Sequence, residues 1–249
     1  EAERILKEVL ATLQGMMAGA TPMAAGLEVA LGSQYLALGR WREAEQHLEK
    51  ARTTFRTILG PKAVPAQVST FMTAWVALEA GRPEEAAPVM EGVLDHFRKA
   101  MPPGHELTRW ALQGLVRAND ELDRHDEARP LLGELVLLQE ARLDEDDPSA
   151  DPLHELAQSL LYEDYEDVHD PERALSLVRQ ALELQPEAPA HQRWSFLETR
   201  ARAEHQTGQS EQALKTIAEA IERAPEGRRP ALEARREALR PAPRSSRDG

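Results

Sequence analysis

No cysteine occurs anywhere in the 249-residue chain, which removes disulfides and thiolate metal sites at once. Aromatic residues make up only 4%, and β-branched runs are scarce, so strands have little to be built from. No apolar run approaches the roughly 20 residues that cross a bilayer as a helix. Positive charge is outnumbered: 30 Lys and Arg stand against 43 Asp and Glu, a formal net charge of −13. That balance argues against a general nucleic-acid binder, which needs clustered Lys and Arg to meet phosphates, and against an anionic lipid surface. A basic partner is the electrostatically easier one. No signal peptide is visible and the sequence opens on Glu1, so it reads as a fragment or a processed form, compatible with a cytoplasmic setting.

What is present is Leu, Ala, Glu and Arg, a helix-forming composition, and a repeat. Gly39-Arg40-Trp41-Arg42-Glu43-Ala44 returns as Gly81-Arg82-Pro83-Glu84-Glu85-Ala86 and as Asp123-Arg124-His125-Asp126-Glu127-Ala128. Later copies are His169-Asp170-Pro171-Glu172-Arg173-Ala174 and Gly208-Gln209-Ser210-Glu211-Gln212-Ala213. The five alanines are 42, 42, 46 and 39 residues apart. Glu1-Ala2 falls 42 residues before Glu43-Ala44, so the first residues read as the second helix of an earlier repeat.

Each copy predicts one helix ending at a turn and a second helix opening a few residues later, with its alanine where two helices approach closely. Apolar residues then recur at helical spacing: Ala44, Leu48, Ala51, Phe55 and Ile58 in one copy, Ala128, Leu132, Leu135 and Leu138 in another. Proline-rich junctions at Gly60 to Pro65, Met101 to Gly104 and Asp147 to Pro152 separate the pairs, and Pro186 and Pro225 stop later second helices. A lone pair cannot bury its stripe, so neighbours must stack and share a core. The expected organisation is a second helix at 1–14, repeats at 24–60, 66–101, 106–143, 152–186 and 190–225, a polar capping helix at 228–240 and a disordered tail at 241–249.

Leu31-Gly32, Tyr35, Gly39, Ala44 and Ala51 follow in the order of the tetratricopeptide repeat, which this chain resembles. The fourth copy keeps Leu161, Tyr165, Ala174, Ala181 and Pro186; the fifth keeps Gly208, Ala213, Ala220 and Pro225. The longer early period, with Leu59-Gly60-Pro61 after the second helix, is similar to the kinesin-light-chain variety. The resemblance implies an all-α solenoid of stacked antiparallel helix pairs forming a right-handed superhelix. It departs from the pattern at Val116 and Tyr162, where a small close-packing residue such as Ala74 or Ala201 is expected, so Tyr162 should push helices apart. The 46-residue spacing needs about four inserted residues, placed at Asp164 to His169.

The resemblance also implies a concave groove lined by the first helices. Carried across, its facing positions are Val29 and Ser33; Phe71 and Trp75; Gln113, Arg117 and Asp120; Ser159, Glu163 and Glu166; and Glu198, Arg202 and His205. Phe71 and Trp75 would anchor an apolar side chain, and Glu163 and Glu166 would receive Lys or Arg; alternatively Trp75 packs between repeats. Trp110 and Trp194 open their helices as packing residues. The Lys/Asn pattern with which some members clamp acidic tails is absent at Val29 and Ser33.

No phosphate-cradling loop or nucleophile elbow is present. His154-Glu155 starts like a zinc-protease helix, but Gln158 stands where the second histidine belongs, so both read as helix-start residues. Asp144 to Asp147 lacks the glycine and terminal glutamate of an EF-hand and reads as a solvated loop, and the acidic cluster of Glu163, Asp164, Glu166, Asp167 and Asp170 reads as a solvated face. No catalysis and no cofactor are expected. The expected function is a scaffold binding a peptide or partner protein, which could be basic, in the groove. Its fourth copy also resembles repeat regions that follow bacterial Ser/Thr kinase domains, and a ligand-sensing region of a transcriptional regulator is the remaining option.

Overall fold

The computed structural model describes residues 2–16, 21–143, 149–185 and 190–240. The expected tail at 241–249, the Asp144–Asp147 loop and Pro186 lie outside them. All regular structure among the described residues is helical. The chain divides into two units, Glu1–Leu135 and Val136–Gly249, with one helix running through the boundary.

In the first unit α1 (Ala2–Met16) is followed by the pairs α2 (Pro22–Ala37) with α3 (Trp41–Leu59) and α4 (Val64–Glu79) with α5 (Pro83–Ala100), then by α6 (Glu106–Asp120) and α7 (His125–Leu143). Each pair packs on itself and on the first helix of the next: α2 on α3, α3 on α4, α4 on α5, α5 on α6. The stripe that drives this is the apolar face read from the sequence. Ala44, Leu48 and Ala51 of α3 are at 0% exposure. Ala44 and Leu48 join Leu10, Leu31, Tyr35 and Val76 in one cluster, and Ala51 joins Ala25, Phe55 and Ala66 in a second.

One turn serves three times. Gly39, Gly81 and Asp123 all have left-handed backbone (φ 73°, 73° and 56°). At each, the next residue's N–H reaches back six residues inclusive: Arg40 to Tyr35 O, Arg82 to Ala77 O and Arg124 to Asn119 O, each at 2.9 Å. This satisfies carbonyls that the helix end leaves orphaned. The second unit uses the same device at Gly208, where Gln209 N–H donates to Glu204 O at 2.7 Å.

The second unit contains the end of α7, then α8 (Ala150–Ser159), α9 (Pro171–Leu184), α10 (Ala190–Gln206), α11 (Ser210–Arg223), a 3-10 turn (Glu226–Arg228) and α12 (Arg229–Ala238). Leu156, Ala174, Val178, Ala201, Ala213, Ile217 and Leu232 share its core. The fourth repeat departs from the expected pattern. Its first helix was expected to carry Glu163 and Glu166 on one face, but α8 stops at Ser159. Residues 160–169 form instead a run of turns closed at its base by Asp170 N–H to Leu160 O, 3.0 Å. Two aromatics explain this. Tyr165 is at 0% exposure, and its carbonyl accepts from the N–H groups of both Val168 and His169 at 2.8 Å. Asp170 then caps α9 through Arg173 N–H, 3.0 Å, with Pro171 at the first turn. Tyr162 therefore lies beyond the helix and packs edge-on to Tyr165, with centroids 5.9 Å apart; the small residues buried on α8 are Ala150, Ala157 and Ser159.

Turn arginines tie neighbouring repeats together. Arg40 reaches Glu3 (3.2 Å) and Arg82 reaches Glu45 (3.1 Å), each 37 residues back. At the third turn the residue 37 before Arg124 is Ala87. These pairs are partly exposed, so Arg82→Ala should cost about 0.5–1 kcal/mol at low salt and less at about 0.5 M NaCl, whereas Arg124→Ala should be close to neutral. Urea denaturation of both variants at two salt concentrations checks this; equal losses would show that the Glu45 contact contributes nothing.

Candidate interaction surface

In the first unit the helices α2, α4 and α6 are neighbours and form one wall. The contrast between this wall and the second helices lies in charge. Every solvent-reaching side chain of α2 and α4 is uncharged except Glu79. Glu28, the other carboxylate on these two helices, is buried and held by His47 at 2.5 Å, and the His47 ring stacks on Tyr35 at 5.3 Å. Glu79 is engaged too: Arg117 Nη1 donates to it at 2.6 Å while Arg117 Nε donates to Glu121 at 2.8 Å. Burial works against the Arg117 charge, but Glu79 and Glu121 outweigh it and raise the guanidinium above its ordinary value. By contrast α3 presents Arg42, Glu43, Glu45, Glu49, Lys50, Arg52 and Arg56.

What α2 and α4 offer instead is uncharged, apolar or small residues beside the polar Gln34, Gln67, Thr70 and Thr73, while α6 adds Leu107 and Trp110 together with the charged Glu106, Arg117 and Asp120. Met23 is 65% exposed; Gly26 and Ala37 are exposed, and Ala30, Ser33, Val68, Met72, Trp75, Leu107 and Trp110 are half-buried. Ser33 Oγ donates to Val29 O at 2.9 Å, which leaves the hydroxyl little to offer as a donor. Val29 packs into both clusters of the first unit.

The expected groove residues divide sharply. Phe71 is buried at 3% exposure and meets the Trp75 ring at an angle of 61°, centroids 5.6 Å apart. It supports Trp75 and is out of reach of a partner, which corrects its expected anchoring role. Trp75 packs against the core cluster and over α6, where a Cβ on Gly114 would stand 3.0 Å from its ring; it stays half-exposed. Gln113, Arg117 and Asp120 are half-buried along α6.

In the second unit Ser159, Glu163, Glu198 and Arg202 are engaged within the fold. Ser159 is buried at 2% and its hydroxyl donates to Glu155 O at 3.3 Å. Glu163 accepts from Gln206 at 2.6 Å, and Glu166 is exposed in the turns, off any helix. Glu198 pairs with Arg235 of α12 at 2.7 Å. Arg202 donates to Leu161 O at 3.3 Å; burial and the nearby Arg235 lower its guanidinium pKa. His205 is half-buried, with its Nδ1 enclosed and unpaired.

Three features escaped the sequence reading. Gly114 admits both Trp75 and the Met90 thioether, 2.9 Å from where a Cβ would be. Glu204 is fully buried, bonded by Arg200 (2.7 Å) and Thr216 (2.6 Å). His154, read as a helix-start residue, is a core side chain 2.9 Å from Thr199, while its neighbour Glu155 pairs with Arg142 at 2.5 Å. A signal for Glu204 exists: it stands nine residues before the repeat alanine, the position of Tyr35, Ala77, Asn119 and Tyr165, all of them buried.

Two profiles described as tetratricopeptide repeat match residues 23–99 and 163–228. Among solved structures, a kinesin-light-chain-type protein of Podosopora anserina with nearly identical TPR-like repeats is 22% identical. Its TM-score is 0.53 over 87% of this chain and 98% of that one. A thermophilic TPR protein of Thermus thermophilus is 19% identical, with a TM-score of 0.55 over the same shares. BtubC from P. vanneervenii is 17% identical, with a TM-score of 0.52 over 100% of this chain and 94% of that one. No curated protein matches the sequence.

Proposed function

Because the chain belongs to the tetratricopeptide repeat family, whose stacked helix pairs serve as protein-interaction scaffolds, we propose that it works as one through the α2–α4–α6 wall, which receives an apolar segment of a partner protein. The observation that carries this reading is the uncharged surface of α2 and α4 beside the charged surface of α3. Uncharged, partly exposed surface costs little to desolvate, and Trp75, Met72 and Trp110 give it contact area. The backbone beneath is already ordered by two cores, so binding loses little conformational entropy. The net charge of −13 steers basic flanking residues toward the protein without requiring them in the contact. Arg117, fixed by two carboxylates, contributes shape and a rigid boundary at the α6 end.

The test is a peptide display library panned on the whole chain, followed by affinity measurements on wild type and Ser33→Arg. Recovered peptides should share apolar and aromatic positions. The half-buried Ser33→Arg side chain reaches solvent and should leave folding intact, judged by thermal melting, while weakening binding by about tenfold or more, the equivalent of about 1.4 kcal/mol. Peptides that bind the variant as tightly as wild type would remove the wall from the function.

A further inference from the structure

The negative charge of the chain is unevenly spread. Residues 136–189 hold 15 Asp and Glu against three basic residues, Arg142, Arg173 and Arg179. Two of those three are taken: Arg142 by Glu155 at 2.5 Å and Arg173 by Glu140 at 2.6 Å. A surface in this stretch therefore lies in a negative field that the stretch does not neutralise itself.

Within it is a cavity of about 480 Å³ between the end of α7, the start of α8 and the end of α9, lined by Leu143, Pro152, Leu153, Leu177 and Leu184. The helix lengths leave it room: α7 has 19 residues and α9 has 14, the last of them Leu184. The floor belongs to the core of the second unit. Leu177 is 7% exposed, and Leu143 and Leu153 pack against the same cluster. The lip is open, with Leu184 at 47% exposure. Small-ligand pockets span roughly 300–1,000 Å³, so the space suits a bulky apolar group.

The rim is acidic. Glu183 is exposed on the wall, and Asp151 is exposed between the wall residues Ser149 and Pro152. The sequence joining Leu143 to Ser149 is Asp144-Glu145-Asp146-Asp147-Pro148. Arg142, the cation on the wall, is neutralised by Glu155. An apolar side chain gains burial in this cavity. With a Lys or Arg beside it, the same side chain also gains from the field at the rim, whereas a neighbouring carboxylate is repelled.

We propose that this cavity receives a Leu, Met or aromatic side chain of a partner protein whose sequence neighbours are Lys or Arg. The apolar group fills the space between Leu153, Leu177 and Leu184, and the flanking cation meets Glu183 and Asp151 at the rim. The seat lies in the second unit and selects for basic flanks, so it is separate from the α2–α4–α6 wall. Ser33→Arg, which tests the wall, leaves it untouched.

Three blocked hexapeptides probe the full chain: two leucines flanked by arginines, the same leucines flanked by glutamates, and two serines flanked by arginines. Methyl NMR follows Leu143, Leu153, Leu177 and Leu184. The first peptide should shift these methyls with a Kd at least about tenfold tighter than the second, and the third should leave them in place. Asp151→Asn combined with Glu183→Gln alters two exposed positions and should melt like wild type. It should narrow the gap between the first two peptides, as should about 0.5 M NaCl. Methyls unmoved by the first peptide, equal affinity for the first two, equal shifts from the third, or an unchanged gap in the double variant overturns the proposal.

Discussion

Exchanging Gly32 for alanine should lower the unfolding free energy by about 1–3 kcal/mol, whereas Gly26→Ala, six residues earlier in the same helix, should raise it by about 0.5–1 kcal/mol. Both exchanges relieve the same backbone penalty, because alanine is the better helix former. They differ in what the new methyl group meets. A Cβ on Gly26 has nothing within 4 Å, while one on Gly32 would stand 2.5 Å from Leu48 Cγ, 2.8 Å from Leu48 Cδ2 and 3.3 Å from Ala44 O. Leu48 Cγ is a branch point within a side chain at 0% exposure, so it cannot swing aside without displacing the cluster around it. The overpacking term therefore wins at Gly32 and is absent at Gly26. Gly114→Ala falls between: the atoms in its way include the Sδ and Cε of Met90, a flexible thioether that can re-pack at little cost. Urea denaturation of the three variants orders them. A Gly32→Ala protein as stable as Gly26→Ala would show that α2 and α3 are not held together at that contact.

The same contact shows why so much of the fold was legible. Leu31-Gly32 followed by Tyr35 and Gly39 states a geometry: a closely approached backbone, then a buried ring, then a left-handed residue ending the helix. Those demands are local: the first full repeat meets all three within a few positions, and Gly81, Asp123 and Gly208 supply the left-handed residue in later ones. Even Asp123 holds the turn that glycine holds elsewhere, a substitution that Asp tolerates because its short polar side chain suits left-handed backbone. The interaction surface was harder to read because the register assumes a regular helix. At the fourth repeat, Tyr165 keeps its place nine residues before Ala174 and is buried, but it does so from a run of turns after α8. Counting along a helix that had already ended put Glu163 and Glu166 on a face that does not exist. In the second unit Glu198 and Arg202 lie on α10, but Glu198 is taken by Arg235 of α12, 37 residues later. Glu198 and Arg235 share the 37-residue offset of the Arg40–Glu3 and Arg82–Glu45 pairs, but neither stands at a repeat turn, so the repeat pattern does not point to them.

His154 should make the protein lose stability on mild acidification, more steeply than a chain without it. Its ring lies in the core of the second unit, edge-on to Phe196 with centroids 4.2 Å apart, and its Nε2 is 2.9 Å from Thr199 Oγ1. Burial pushes the imidazole pKa down to about 3, with a backbone hydrogen bond to Ser195 working weakly the other way. In the unfolded chain the same group titrates near the ordinary value of about 6.5. Above that pH both states are neutral and the contribution to stability is complete. Between about 6.5 and 3 only the unfolded chain takes up the proton, so stability falls with pH by up to about 1.4 kcal/mol per unit, or roughly 2 kcal/mol between about pH 6 and 4.5. His154→Leu isolates this term, because the carboxylates titrate in both proteins and cancel in the difference. It keeps the site filled, and Thr199 retains its hydrogen bond to Ser195 O at 3.1 Å, so the exchange should cost little at about pH 7. At about pH 4.5 the variant should be the more stable protein, by about 2 kcal/mol relative to its standing at neutral pH. Parallel stability curves from about pH 7 to 4.5 would mean that the ring takes up its proton in the folded state, and the closed core around α8 and α10 would have to open to water for it to do so.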